Sequence, residues 1–276
     1  MTRCEVCGQA TSPVDVGDSE VLLTCGRCGH AVRTRPRLSA RNHPAGGDDG
    51  RDDVRTTITY RRIQRAVRGL GVRTVHEVGY GSGALLRRFL DDGATVSGCD
   101  PGALETSIDP EVARQGRLTT EPLRRADAPV ADLVLAVHVV EHLPSAVPSL
   151  TDLCSWVRPG GGVFVVTPTA DCWGARTFGS AWWMLEDPTH ERFYTDQSLR
   201  EGLVAAGAER VRLSRPVLDS LGCDGASLAR RFDRAEAALS TPRGRLASAA
   251  LAPVSVAARL MTHDARPVVD AVARVR

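Results

Sequence analysis

The chain has 276 residues, room for one large domain and a small one, and an apolar content of 42%, enough for a hydrophobic core. A formal net charge of +2 excludes a global electrostatic case for nucleic-acid binding, and arginine supplies all the positive charge because no lysine is present. The start carries a cysteine cluster rather than an apolar signal segment. The longest weakly polar stretch, Leu246 to Met261, holds Pro253 and Arg259 and is too short and too mild for a membrane span, so a cytoplasmic protein is expected.

The first element is built on Cys4/Cys7 and Cys25/Cys28, spaced C-x2-C-x17-C-x2-C, which is the spacing of a four-thiolate zinc site. Gly8 and Gly29 follow the two pairs, where a knuckle needs a tight turn. Four thiolates leave no open coordination position, so the expected Zn2+ is structural. A segment this short has too little core to fold by burial alone, and metal binding would supply much of its folding free energy. A redox pair would want a thioredoxin-type strand and helix around it, and a disulfide would want an oxidising compartment. His30 could replace one thiolate, though four cysteines suffice. Cys99, Cys154, Cys172 and Cys223 are scattered and read as core residues. The domain expectation is a zinc ribbon over 1–35, then a linker over 36–56 rich in Gly, Pro and Asp.

Thr57 to Leu70 reads as an amphipathic helix, with Ile58, Ile63, Ala66, Val67 and Leu70 on one face. Arg73 to Val78 is the next strand. It runs into Glu77-Val78-Gly79-Tyr80-Gly81-Ser82-Gly83, after which Gly83 to Asp91 is helical. Thr95 to Asp100 is a second strand, closed by an acid that can accept both hydroxyls of a ribose. Strand, glycine loop, helix, strand, acid is how an open α/β sheet holds a nucleotide-bearing cofactor. The loop satisfies the dinucleotide pattern G-x-G-x-x-G/A through Gly79, Gly81 and Ala84, and equally the pattern E/D-x-G-x-G-x-G. Glu77 and the absence of Arg or Lys from the loop favour the second, since a diphosphate would call for a cation.

Arg117 to Thr120 is a short third strand, with Thr120 or Glu121 near the adenine edge. Ala131 to Val137 is a continuous apolar run typical of a buried parallel strand and leads into Val139-Val140-Glu141-His142-Leu143-Pro144. Pro144 to Val157 is a helix. Arg158-Pro159-Gly160-Gly161 precedes a strand over Gly162 to Thr167. Thr195 to Ala206 is a helix, Glu209 to Arg215 a strand, and about 219–261 a helical insertion made basic by Arg230, Arg231, Arg234 and Arg243. A solvated face is the plain reading of those arginines. Pro267 to Val275, rich in valine, is expected to be the last strand, although its alanines also suit a helix.

The glycine loop, the V-x-E-H-L run at Val139 to Leu143 and the R-P-G-G turn occur in the order found in class I methyltransferases that use S-adenosylmethionine, and the chain resembles that superfamily. The resemblance implies an α/β, Rossmann-like seven-stranded methyltransferase sheet with helices on both faces over 57–276, with the last strand inserted between the fifth and sixth, beside the small N-terminal zinc ribbon. It implies that Glu77, Gly79, Tyr80, Gly81, Gly83, Asp100, Pro101, Glu121, Ala136 and His138 bind S-adenosyl-L-methionine. The segment Thr167 to Thr195 holds Trp173, Trp182 and Trp183, suggesting a lid or pocket wall. Its Pro188, His190 and Phe193 are similar to a bacterial group with a zinc ribbon, akin to ubiquinone-type O-methyltransferases and associated with polysaccharide, lipid or natural-product modification.

A hydroxyl or ammonium acceptor must lose a proton, and histidine is suited to taking it near neutral pH. His138 and His142 after the fourth strand, with Glu141, and His190 after the fifth are the candidate catalytic residues. His138-x-x-Glu141-His142 also spells the H-x-x-E-H zinc-protease pattern, which needs a helix rather than the end of a buried strand. Metal-assisted methyl transfer is a rival, because small-RNA 3′-end methyltransferases bind a metal through E-x-x-E-H and a later histidine, which His138, Glu141, His142 and His190 resemble with histidine in place of the first glutamate; a buried hydrogen-bonded Glu141–His142 pair is the plain alternative. The leading expectation is methylation of a small-molecule acceptor at oxygen or nitrogen. An RNA methyltransferase using the ribbon, with Arg27, Arg33, Arg35, Arg37 and Arg41, is the first alternative. It lacks an aromatic stacking platform. A non-catalytic cofactor-binding scaffold is the second. The pattern marks neither the acceptor nor an oligomeric state.

Overall fold

The computed structural model describes residues 2–34, 49–102, 107–232 and 238–276, with the backbone alone at 49–53 and 240. The expected linker lies outside them as far as residue 48, as do Arg35, Arg37, Arg41 and Arg234. Eleven strands and eight α-helices are described. By internal contacts the chain divides into one unit of 1–37, 167–199 and 213–270 and another of 38–166, 200–212 and 271–276.

The larger sheet, most of whose residues belong to the second unit, has seven strands: β4 Thr74–Val78, β5 Thr95–Cys99, β6 Arg117–Thr119, β7 Ala131–Val137, β8 Val157–Pro168, β10 Ala208–Ser214 and β11 Val268–Val275. Their order is β10-β11-β8-β7-β4-β5-β6, so the last strand lies between the fifth and sixth, as the resemblance implied. β4 pairs in parallel with both β5 and β7, and β7 with β8. β7 is buried along nearly its whole length, Leu133 to Ala136 completely, which explains its unbroken apolar run. The Asp132 carboxylate fixes its start by accepting from the Arg73 and Thr74 N–H groups, both at 2.9 Å.

Helices α1 Asp49–Ala66, α2 Ala84–Asp91, α3 Pro110–Gln115 and α4 Val147–Ser155 also belong to this unit. α1 starts eight residues before the expected Thr57. Asp49, Gly50, Asp52 and Asp53 are poor helix formers that suit a first turn, and the composition there reads as linker. Its apolar face buries Ile63 and is followed by buried Val67, and Arg88 of α2 donates to Thr57 Oγ1 at 3.0 Å. β8 begins at Val157 rather than Gly162, because the Pro-Gly-Gly stretch continues the strand through a register shift against β7.

The first unit holds a four-stranded sheet: β1 Thr11–Gly17, β2 Glu20–Cys25, β3 Ala31–Arg33 and β9 Arg192–Phe193, in that order. The first three form the antiparallel ribbon. The fourth comes from the wall segment after β8, pairing Ala31 with Phe193 and Val32 with Arg192. α5 Trp173–Phe178 follows β8, and α6 Asp196–Ala205 follows β9. The insertion is two helices, α7 Cys223–Phe232 and α8 Pro242–Met261. Arg259 of α8 is fully buried and donates to the carbonyls of Asp219 at 2.6 Å and Ser220 at 3.1 Å, and to Asp224 at 3.2 Å, tying the loop before α7 to α8. No described helix is long and apolar enough to cross a membrane.

Candidate active site

The glycine loop leaves the carboxyl end of β4, a central strand of the parallel sheet, where open α/β sheets form their ligand crevice. Gly79, Gly81 and Gly83 have φ of 73°, 52° and 77°, a region that side chains other than glycine rarely enter. Gly79 is further constrained by space, since a Cβ there would stand 2.4 Å from Val139 Cγ2, in the loop after β7. Gly83 caps α2 in the left-handed conformation without a side-chain cap.

Asp100, at the end of β5, accepts from the Gly81 N–H on Oδ2 and from the Gly102 N–H on Oδ1, each at 2.7 Å. The carboxylate is therefore fixed in direction, and its half-buried oxygens keep lone pairs for further donors. Pro101 and Gly102 are half-buried beside it. Tyr80 is buried against Gly98, where a Cβ would lie 2.8 Å from Tyr80 Cδ1. Ala136 is fully buried in β7, and Glu121 is exposed beyond β6, its N–H donating to Thr119 Oγ1.

Glu77 is buried in β4, and its Oε2 has no hydrogen-bond partner. Burial first, then the charge of Asp100, pushes its carboxyl up to about 8. The donor set suits S-adenosylmethionine: a fixed acid for hydroxyls, an orphaned buried carboxyl for a cationic molecule, open space at Gly81 and no cation in the loop for a phosphate.

His138 follows β7 with φ of 55°, unusual for a residue with a Cβ, and its N–H donates to Val166 O at 2.8 Å. Its Nδ1 lies 3.4 Å from Oε1 of Glu141, which is completely buried in a single 3-10 turn over Val140–His142. His142 is half-buried in the same turn. The three therefore share one corner, and the short 3-10 turn excludes the helical zinc-protease arrangement.

His190 belongs to the first unit. Its Nδ1 is 2.7 Å from Met184 O, and because a carbonyl only accepts, Nδ1 carries the proton in this geometry. Nε2 stands 3.6 Å from Asp187 Oδ2, and the ring meets Phe193 edge-on at 6.5 Å. Trp182 and Phe193, both buried, pack against each other in the same wall, whereas Trp173 is largely exposed.

In the ribbon, the Sγ atoms of Cys4, Cys7, Cys25 and Cys28 lie within 4.8 Å of one another. The closest pairs, Cys7–Cys25 at 3.4 Å and Cys4–Cys28 at 3.6 Å, are too long for a disulfide of about 2.05 Å. They match instead the edge of about 3.8 Å of a tetrahedron with metal–sulfur bonds of about 2.3 Å. Gly8 and Gly29, at φ of 71° and 69°, turn both knuckles. The other four cysteines are buried, as expected of core residues.

Sequence reasoning missed Gly102 and Met184, and it read Arg33 as an RNA-facing arginine where the structure buries it against carbonyls. Asp100-x-Gly102 is a short turn signal that could have flagged the first. Nothing local marks Met184 or the buried role of Arg33.

The chain matches the family model described as "Methyltransferase domain" over residues 33–213, well over half its length. It belongs to that family, and the strand order of its larger sheet is the one that the resemblance to class I methyltransferases implied. Among curated relatives, ubiquinone biosynthesis O-methyltransferases of Salmonella typhimurium and Salmonella newport are each 32% identical over 109 residues, 36% of this chain and 44% of theirs. The chain thus spans less than half the length of the curated relatives it matches. Geranyl diphosphate methyltransferase in complex with SAM superposes with a TM-score of 0.55 at 14% identity, covering 87% of this chain and 97% of that one. Phosphoethanolamine N-methyltransferase 2 of Haemonchus contortus gives 0.53 at 12% identity, over 82% and 52%. The cyclase SpnF gives 0.52 at 18% identity, over 81% of each chain. Identities this low show the fold alone.

Proposed function

We propose that the protein transfers the methyl group of S-adenosylmethionine to an oxygen or nitrogen of a small molecule, a sugar, lipid or natural-product intermediate. The observation that carries this reading is the Asp100 carboxylate held by the Gly81 N–H at the carboxyl end of the parallel sheet. The curated relatives, named as ubiquinone biosynthesis O-methyltransferases, support an oxygen acceptor.

In this reading Asp100 takes the ribose hydroxyls, the backbone from Gly79 to Gly83 lies against the cofactor, and Pro101, Glu121, Ala136 and His138 line its adenosyl end. Tyr80 acts from beneath, through its packing on Gly98. When bound, the cofactor supplies an electrophilic methyl carbon on a sulfonium. Glu77, uncharged at neutral pH by burial, regains its charge beside a cationic ligand. On the acceptor side, His190 takes the acceptor's proton on Nε2 while Met184 O holds Nδ1–H, and Asp187 stabilises the resulting imidazolium. His142, His138 and Glu141 shape the loop after β7. A structural Zn2+ is held by Cys4, Cys7, Cys25 and Cys28. A cytoplasmic location accompanies this reading, because eight free cysteines, four of them metal ligands, persist where thiols stay reduced.

The RNA reading is weakened by Arg33. Its side chain is buried and bound to carbonyls, so one of the arginines expected to face RNA is withdrawn. Incubation with methyl-labelled S-adenosylmethionine, followed by fractionation of cell extract into small molecules and RNA, separates the alternatives. Label in small molecules supports the proposal. Label in RNA would establish the other enzyme, and cofactor binding without turnover would leave a scaffold.

A further inference from the structure

We propose that Arg33, on the ribbon strand β3, is the positioning residue for His190, and that through it the ribbon sets the acceptor-side wall. This rests on reading His190 as the acceptor-side base. Arg33 is almost wholly buried, and each arm of its guanidinium is engaged. Nη2 donates to Leu185 O at 3.0 Å, Nη1 donates to Asp187 O at 3.0 Å, and Nε pairs with Glu20 Oε1 at 2.9 Å. Its guanidinium carbon lies 5.9 Å from the centroid of the Phe193 ring.

The two carbonyls belong to the turn that holds the imidazole. Met184, next to Leu185, supplies the carbonyl on His190 Nδ1, and Asp187 presents Oδ2 to Nε2. Asp187 is itself fixed, because its Oδ1 accepts from Thr189 N at 2.8 Å and Thr189 Oγ1 at 2.6 Å. The backbone carbonyls of Leu185 and Asp187 face Arg33 while their neighbours orient His190. A planar fork, ion-paired with Glu20 at its third nitrogen, holds both carbonyls at a fixed separation, which a flexible ammonium does not.

The ribbon is bound to the same segment at three more places. The Arg33 N–H donates to Glu191 O at 2.8 Å. Arg192 pairs with Glu5 through Nε at 2.9 Å and Nη2 at 3.1 Å. Thr195 Oγ1 donates to Cys28 O at 2.6 Å. The ribbon therefore builds the wall of its own unit, with β9 as its fourth strand, rather than hanging from the chain as a separate reader.

The test uses the full zinc-loaded chain with the imidazole nitrogens labelled with 15N, the His190 signals being assigned by His190→Gln. The wild type should show a single Nδ1–H tautomer for His190. Arg33→Ala should bring its two nitrogens towards a tautomer average and lower amide-exchange protection across 184–191 at least tenfold, with zinc content unchanged. Arg33→Lys should restore part of both, and Glu20→Gln should give a smaller shift in the same direction. Thr195→Val, which cuts a ribbon contact outside the turn, should leave the His190 signals in place. An unchanged His190 in Arg33→Ala, or in Glu20→Gln should Arg33→Ala not fold, overturns the proposal. His190→Gln turning over at the wild-type rate sinks the base assignment alone and leaves the nitrogen spectra as they are.

Discussion

Gly81 donates its backbone N–H to Oδ2 of Asp100 at 2.7 Å, joining the loop after β4 to the tip of β5. The bond fixes the acid before any ligand arrives. With Gly102 on the other oxygen, the carboxylate faces one way, and the proposed ribose contact would use a preorganised acceptor rather than a rotating side chain. The same bond requires Gly81 to hold φ of 52°, so loop conformation and acid placement are one feature.

Gly79→Ala should lose both stability and cofactor affinity. The residue sits at φ of 73°, which costs an alanine about 1–2 kcal/mol, and its Cβ would strike Val139. Adding Val139→Ala makes room but leaves the backbone strain. Thermal unfolding of the single and double variants should therefore show partial recovery. Full recovery would mean that the clash alone matters.

His76 and Glu77, neighbours in β4, should tilt the pH-stability profile in opposite directions. Burial pushes His76 down to about 4, against Trp156 stacked on it at 4.2 Å. As pH falls from 6.5 to 4 the unfolded chain takes up this proton first, so stability is lost over that window, by at most about 3 kcal/mol. Glu77 is held up near 8, so the unfolded chain releases its proton first as pH rises from 4.5 to 8, and stability falls on that side. Urea titrations at several pH values should show the acid-side slope flattened in His76→Phe and the alkaline-side slope flattened in Glu77→Gln.

Metal analysis should find one zinc per chain, lost in Cys25→Ser. Stripping the metal should expose residues 2–34 and the 184–195 segment to protease together, since β9 is the ribbon's fourth strand. S-adenosylmethionine affinity should stay within about threefold, because Asp100 and its loop belong to the other unit. Protection of 184–195 after zinc removal would contradict the coupling.

His190→Gln should lower turnover about 100-fold or more, the usual contribution of a positioned base, with cofactor affinity unchanged. His142→Gln should cost less. The comparison is made with the acceptor found by label transfer. A larger effect at His142 would move the base to the loop after β7.

Much of this was legible in the chain. The turn from Glu77 to Gly83 and its partner Asp100 were legible as structure because their arrangement is local: a strand, a turn and the next strand's tip. Most of the seven strands followed from apolar runs, and the last from the resemblance together with its valines, which outweighed its alanines. What escaped depends on distant partners. β9 is two residues long and is a strand only because Ala31 and Val32 lie alongside it. Arg33 read as a surface charge because the carbonyls of Leu185 and Asp187 are more than 150 residues away. The early start of α1 was hidden by glycine and aspartate, residues that open helices as readily as they fill loops.

The central claim is tested most directly by calorimetric titration of S-adenosylmethionine into the wild type and Asp100→Ala. Binding to the wild type that falls about 100-fold or more in the variant, with the fold intact by circular dichroism, is the expected result, since the variant loses charge-assisted bonds to two hydroxyls. Equal affinity in the two proteins, or a wild type that takes up a nicotinamide dinucleotide in preference, would contradict it.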